Sequence, residues 1–268
     1  MRNIFTVFMF LVCLASFVSG EEVKVASALI PEVSKGKPFE WRKQPINGAF
    51  ELGEDLKFVI AWKFIVVGYA TMGVESAQDI GGRKVFHIAT SAKSTSFFDT
   101  FYRVRDTNES WIDTDSLCTV KYASVNDENN NKQNETIKFD QVNHTFTIIE
   151  SSKTGTVPAW VQDVLSALYY VRTKELVVGQ DVVVDAHSGD LSWPLKVKVL
   201  RREKVSVPAG DFDCFVVEPG LRDDAGIFQA KGRLLVWLTA DSRKVPVLLR
   251  SQIVVGAVEA RLTELKLK

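Results

Sequence analysis

Alternation with a period of two constrains this chain more than any other feature. Leu56, Phe58, Ile60 and Trp62 alternate with Lys57, Val59, Ala61 and Lys63. An extended backbone therefore gathers four large apolar side chains on one face, where a helix would scatter them. Residues 65–75 read as a second strand in which Gly68 and Gly73 permit a bend or bulge. Gly81-Gly82 reads as a hairpin turn into 84–92.

The pattern recurs over 102–112, 117–125, 134–139, 145–150, 195–207, 212–218, 226–238, 245–255 and 258–267. Residues 126–131 read as a polar loop. Pro208-Ala209-Gly210-Asp211 reads as a tight turn, proline presetting φ and glycine free to take a positive φ. Many short strands with few helices predict a mostly β protein, with sheets packed on one another or one sheet curled into a half-open barrel.

One stretch, 158–176, changes period. Val161, Val164, Leu165, Leu168 and Arg172 fall on one helical stripe, with Asp163 near its start and Arg172 and Lys174 near its end, as the helix dipole prefers. This predicts a single main amphipathic helix packed over the curved antiparallel sheet. Before the first strand, Pro31, Pro38 and Pro45 mark residues 21–48 as an extended arm. The rest, 49–268, reads as one domain.

The chain opens with Arg2, an apolar run over 4–17, and Val18-Ser19-Gly20. That is the layout of a secretory signal peptide over 1–20, with cleavage expected after Gly20. The run falls short of the ~20 residues that a membrane-spanning helix needs, and no later stretch is longer. The mature part is expected to carry no transmembrane segment.

Lys and Arg number 33 and so do Asp and Glu, so no global basic field invites nucleic acid. A chain of this length buries roughly 70–75% of its unfolded surface and needs no metal or disulfide staple. Once Cys13 leaves with the signal peptide, Cys118 and Cys214 remain. They are either a disulfide, worth on the order of 4–5 kcal/mol for so long a loop, or two small buried side chains on separate strands. Sequence does not give the Cα separation that decides between them.

Enzyme signatures are missing: there is no G-x-S-x-G, H-E-x-x-H, P-loop or G-x-G-x-x-G. His87, His144 and His187 are isolated singles without a second ligand nearby, so neither a metal nor a cofactor is expected. The most suggestive cluster is 97–106. Phe97, Phe98, Phe101 and Tyr102 precede Arg103 and Arg105, which share a face if a strand begins near Tyr102. These residues are either core aromatics beside solvated arginines or an apolar slot with guanidinium groups at its rim. The slot would suit an acyl chain with an anionic head. Phe58, Leu168 and Tyr169 would complete its lining. Asp163 and Arg172 are expected to pair with charges from the Arg105-Asp106 strand and so to fix how the helix docks.

Several pieces resemble, in order, the exported bacterial proteins grouped as domain of unknown function 3108. They are residues 96–106 (SFFDTFYRVRD) and 161–172 (VQDVLSALYYVR), 50–57 with Gly53-Glu54, Trp62, Gly68, and 82–88 (GRKVFHI). Residues 207–214 (VPAGDFDC), 236–239 and 243–247 continue the series, so the likeness runs from about Ala49 to the C-terminus. It implies a bacterial envelope location, in the periplasm or beyond it, and a β-rich fold. It brings no activity, so no site residues transfer.

The reading that follows is an exported, non-catalytic binding or carrier module for a lipid-like or other apolar ligand. The second reading is an envelope structural or protein-interaction module with a filled core, and the third a hydrolase.

Overall fold

The computed structural model describes residues 39–129, 131–220, 233–253 and 256–267. The expected signal peptide and the arm up to residue 38 lie outside the described residues, as does the start of the 226–238 run. Five antiparallel neighbours follow one another first: β1 (Asp55–Trp62), β2 (Ile65–Ile80), β3 (Arg83–Ser94), β4 (Arg105–Asp113) and β5 (Thr119–Glu128). They continue into β6 (Asn131–Asp140), β7 (Thr145–Ile148) and β8 (Lys153–Thr156). A short helix, α1 (Ser96–Asp99), interrupts the step from β3 to β4, and a longer one, α2 (Val164–Arg172), follows β8. The second half runs through β9 (Asp181–Ser188), β10 (Leu191–Val207), β11 (Gly210–Pro219), β12 (Arg233–Thr239), β13 (Pro246–Ile253) and β14 (Gly256–Lys266).

All fourteen strands belong to one sheet, ordered β8-β7-β6-β5-β4-β3-β2-β1-β14-β13-β12-β11-β10-β9. Its two halves are joined where β1 pairs with β14, Ile60 opposite Ala260. The sheet curls until its ends approach each other without closing into a ladder. Across the seam, Lys153 on β8 pairs with Asp190 between β9 and β10. The His187 ring of β9 stands 4.5 Å from that of Phe146 on β7. Gln162 makes a parallel bridge to Ala186. The curled antiparallel sheet with one main helix is the architecture that the alternation predicts. Among the described residues no helix is long and apolar enough to cross a membrane.

α2 packs inside the curl, with Leu165 and Tyr169 against Phe50, Val74 and Ile88. Val171 joins Val199, Val217, Leu234, Val236 and Leu238, each such side chain contributing about 1.5–3 kcal/mol when buried. In β12 alternate residues serve two clusters, because Leu235 and Trp237 belong with Phe58, Ile60 and Leu262 instead. This explains a strand apolar at nearly every position.

Several boundaries differ from the sequence reading, each for a local reason. Thr95 caps a helical turn by accepting the Phe98 N–H, 3.2 Å, so the strand expected from Tyr102 begins at Arg105. Asp163 caps α2, accepting from the Leu165 and Ser166 N–H groups at 2.8 and 2.9 Å. The helix is therefore nine residues long, and Val161 packs from an extended segment. Residues 126–128 and 131, expected in a loop, continue β5 and β6, Asn126 pairing with Gln133. A turn in which Asn129 takes φ +48° replaces the loop. β8 and β9 carry no clear alternation and escape the sequence reading. The Gly81-Gly82 hairpin forms as expected, with φ +60° and +79°.

Candidate functional site

Residues directly opposed across an antiparallel ladder share a face, so the inner face can be followed across the sheet. One row runs Glu135, Ser124, Asn108, Thr90, Met72, Leu56. The next runs Asp106, Ala92, Ala70, Phe58, Leu262. A third runs Ser94, Gly68, Ile60, Ala260, Leu249, Val236, Val217, Val199. Each begins polar on β3–β6 and becomes apolar by β2 or β1. α2 lies on this same face, since the hydroxyl of Ser110 (two residues from Asn108) donates to Asp163 at 2.5 Å.

The polar wall is buried. Asp106, Asn108, Ser110, Ser124, Asn126 and Glu128 are all shielded from solvent, while their neighbours Thr107 and Glu109 face outward or half outward. Tyr122 donates to Asn108 Oδ1 at 2.7 Å, and Asp106 Oδ1 accepts the Asp127 N–H at 3.0 Å. Tyr102 donates to Glu128 Oε2. Three atoms of the wall find no partner among the described residues: Ser124 Oγ, Glu128 Oε1 and Glu135 Oε1. Burial, together with Glu150 and Asp190 nearby, pushes the Glu135 carboxyl up to about 7.

The residues singled out in the sequence are brought together only in part. Phe58 lies in the central cluster, with Phe98 and Tyr102 against it. Leu168 packs beside Val171 and Val236, and Tyr169 is enclosed near Phe50. Phe97 and Phe101 are 69% and 56% exposed, their rings 5.6 Å apart. With Phe64, 88% exposed, they rim the end of the curl where α1 and the β1–β2 turn lie.

Neither arginine is a free anion clamp. Arg103 forks onto Asp127, 2.7 and 3.1 Å. Arg105 is held by Asp99 at 2.6 Å, by the Val104 carbonyl and by Ser94 Oγ. Arg172 does not pair with Asp106. It reaches Glu54 instead, and Asp163 is occupied by Ser110, Thr119 and its capping bonds. Cys118 and Cys214 are separate buried thiols, not a disulfide, and burial raises their pKa values to about 11 and about 12.

The polar wall itself escaped sequence reasoning, because Val125 on β5 suggests the opposite face for the core. The available signal was two successive strands, β4 and β5, in which neither alternate set is convincingly apolar.

The comparisons agree with this geometry. The family model described as "Protein of unknown function (DUF3108)" matches residues 57–263. A beta-barrel-like protein of domain of unknown function DUF1849 from Brucella abortus superposes with a TM-score of 0.56 at 8% identity, covering 80% of this chain and 97% of that one. A "putative exported protein with YmcC-like fold" from Bacteroides fragilis gives 0.34 at 11% identity, over 81% and 97%. No protein of curated function matches the sequence. At these identities only the barrel-like fold is shared, and of these two structures the Brucella one is similar enough to support that.

Proposed function

We propose that this chain, which belongs to the DUF3108 family, is an exported binding module holding an amphiphilic ligand against the inner face of its curled sheet. The observation that carries this reading is the passage of each inner row from buried polar to buried apolar side chains within a few strands. An amphiphile matches such a surface end for end. Its tail would lie over Ala70, Phe58, Ile60 and Leu262, and its head against β4–β6. Export rests on the sequence at the N-terminus, with the periplasm as the compartment implied.

The rim supplies a way in. Phe98 and Tyr102 seat α1 on the central cluster while Phe97 and Phe101 face outward, so a small outward swing of α1 would uncover the wall at Glu128. The same exposed rim favours a second reading, in which Phe64, Phe97 and Phe101 contact a protein partner and the interior stays filled.

Uptake of the environment-sensitive dye N-phenyl-1-naphthylamine separates the two. A binding module takes up dye saturably and releases it to added amphiphile. Ala70→Phe, which adds bulk to the apolar wall, abolishes uptake while the strand signal in circular dichroism persists. Absence of saturable uptake in the unmodified protein contradicts the binding reading.

A further inference from the structure

The chemistry of the polar wall narrows the ligand, on the premise of the binding reading above. Ser124, Asn126 and Glu128 stand at i, i+2 and i+4 along β5, so their side chains span about 13 Å of one face. Glu135 faces Ser124 across the ladder. Ser124 is 3% and Glu128 9% exposed, and each carries an atom without a partner among the described residues. Buried polar atoms are nearly always hydrogen-bonded, and those that are not ask for a missing partner.

What they ask for is a donor. Two of the three orphans are carboxyl oxygens and the third is a hydroxyl, while Asp106 adds a further carboxyl to the same wall. The nearest guanidinium groups, Arg105 and Arg103, are saturated by Asp99 and Asp127. A phosphate or carboxylate head would therefore meet three carboxyl groups and, among the described residues of the wall, no cation, at the cost of its own desolvation.

We infer that the wall receives an uncharged polyhydroxyl head, such as the glycerol of a monoacylglycerol or the sugar of a glycolipid, and discriminates against an anionic head on an equal tail. The chain thereby reads the head by its donors and the tail by its apolar surface alone.

The test compares 1-monolauroylglycerol with lauric acid, which share a twelve-carbon acyl chain, by calorimetry below their micellar concentrations at pH 8. The expected result is at least tenfold tighter binding of the glycerol ester. Ser124→Ala and Glu128→Gln each weaken it about tenfold, and Glu128→Gln, which replaces a carboxylate by an amide donor, tightens lauric acid. Both substitutions are near-isosteric, and melting curves confirm that the variants fold. Equal or tighter binding of lauric acid, or variants that bind the ester as the parent does, overturns the head assignment and leaves the binding reading standing. Binding of neither compound overturns both.

Discussion

Arg172 on α2 and Glu54, the residue before β1, form a two-pronged ion pair with both side chains wholly excluded from solvent. Arg172 Nη2 lies 2.6 Å from Glu54 Oε2, and Nη1 lies 2.8 Å from Oε1. The guanidinium also reaches the Ala49 carbonyl at 2.6 Å and that of Arg243 at 3.2 Å. Tyr169, one helical turn earlier, donates to the same carboxyl at 3.3 Å. Three separate segments therefore meet at one charge pair, which sets the position of α2 within the curl.

Removing one partner strands a buried charge, and this costs far more than the pair is worth. Glu54→Ala and Arg172→Ala are each expected to lose about 3–5 kcal/mol in urea unfolding. The double variant Glu54→Met, Arg172→Met should lose clearly less than the sum. Strictly additive losses would show that the two groups act independently.

Gly73 depends on the same segment. A Cβ there would sit 2.5 Å from the Glu54 carbonyl oxygen, which itself accepts the Val74 N–H at 3.0 Å. Gly73→Ala must push the strand entry away and disturb the ion pair with it. A loss of about 2–3 kcal/mol is expected, measurable by thermal melting. A melting point equal to that of the parent would contradict the close approach.

Glu135 makes stability depend on pH. Its folded pKa, about 7, stands above the ordinary value of 4.5, so the folded state holds the proton more tightly. Its favourable contribution is complete below pH 4.5 and is lost as pH rises through 7. Glu135→Gln should match the parent at pH 4 and exceed it by on the order of 1–3 kcal/mol at pH 8. An equal difference at both pH values would refute the shift.

The cysteines give a simple chemical check. Thiols raised to about 11 and about 12 by burial hold almost no thiolate at pH 8. Peptide mapping after iodoacetamide should find Cys118 and Cys214 unmodified in folded protein and both alkylated after denaturation. A Cys118–Cys214 cross-linked peptide would contradict the structure.

How much of this was legible follows from where packing agrees with pattern. β1 alternates because only one of its faces meets the core, and the sequence shows it. β12 is apolar throughout because both its faces are covered. That reads as a strand, but without a direction. β4 and β5 invert the expectation, turning Asn108, Ser124 and Glu128 inward and Val125 partly outward, and no propensity predicts an inward polar set. The capping role of Asp163 was readable as a charge near a helix start. Its bonds to Ser110 and Thr119, and the match of Arg172 with Glu54 across 118 residues, depend on long-range register that one sequence does not contain. The aromatic run 97–102 was conspicuous, but its split into two exposed rings and two anchored ones came from the four-residue helix that Thr95 starts.

Whether the curled sheet holds an amphiphile is read outright by native mass spectrometry. The chain from Glu21, directed to a bacterial periplasm and purified without detergent, is sprayed intact and its bound material extracted and identified. The expected result is one amphiphile per chain, bearing hydroxyl groups and no net negative charge, and its loss in the Ala70→Phe variant. A bare protein mass that stays bare after incubation with monoacylglycerol and phospholipid would contradict it.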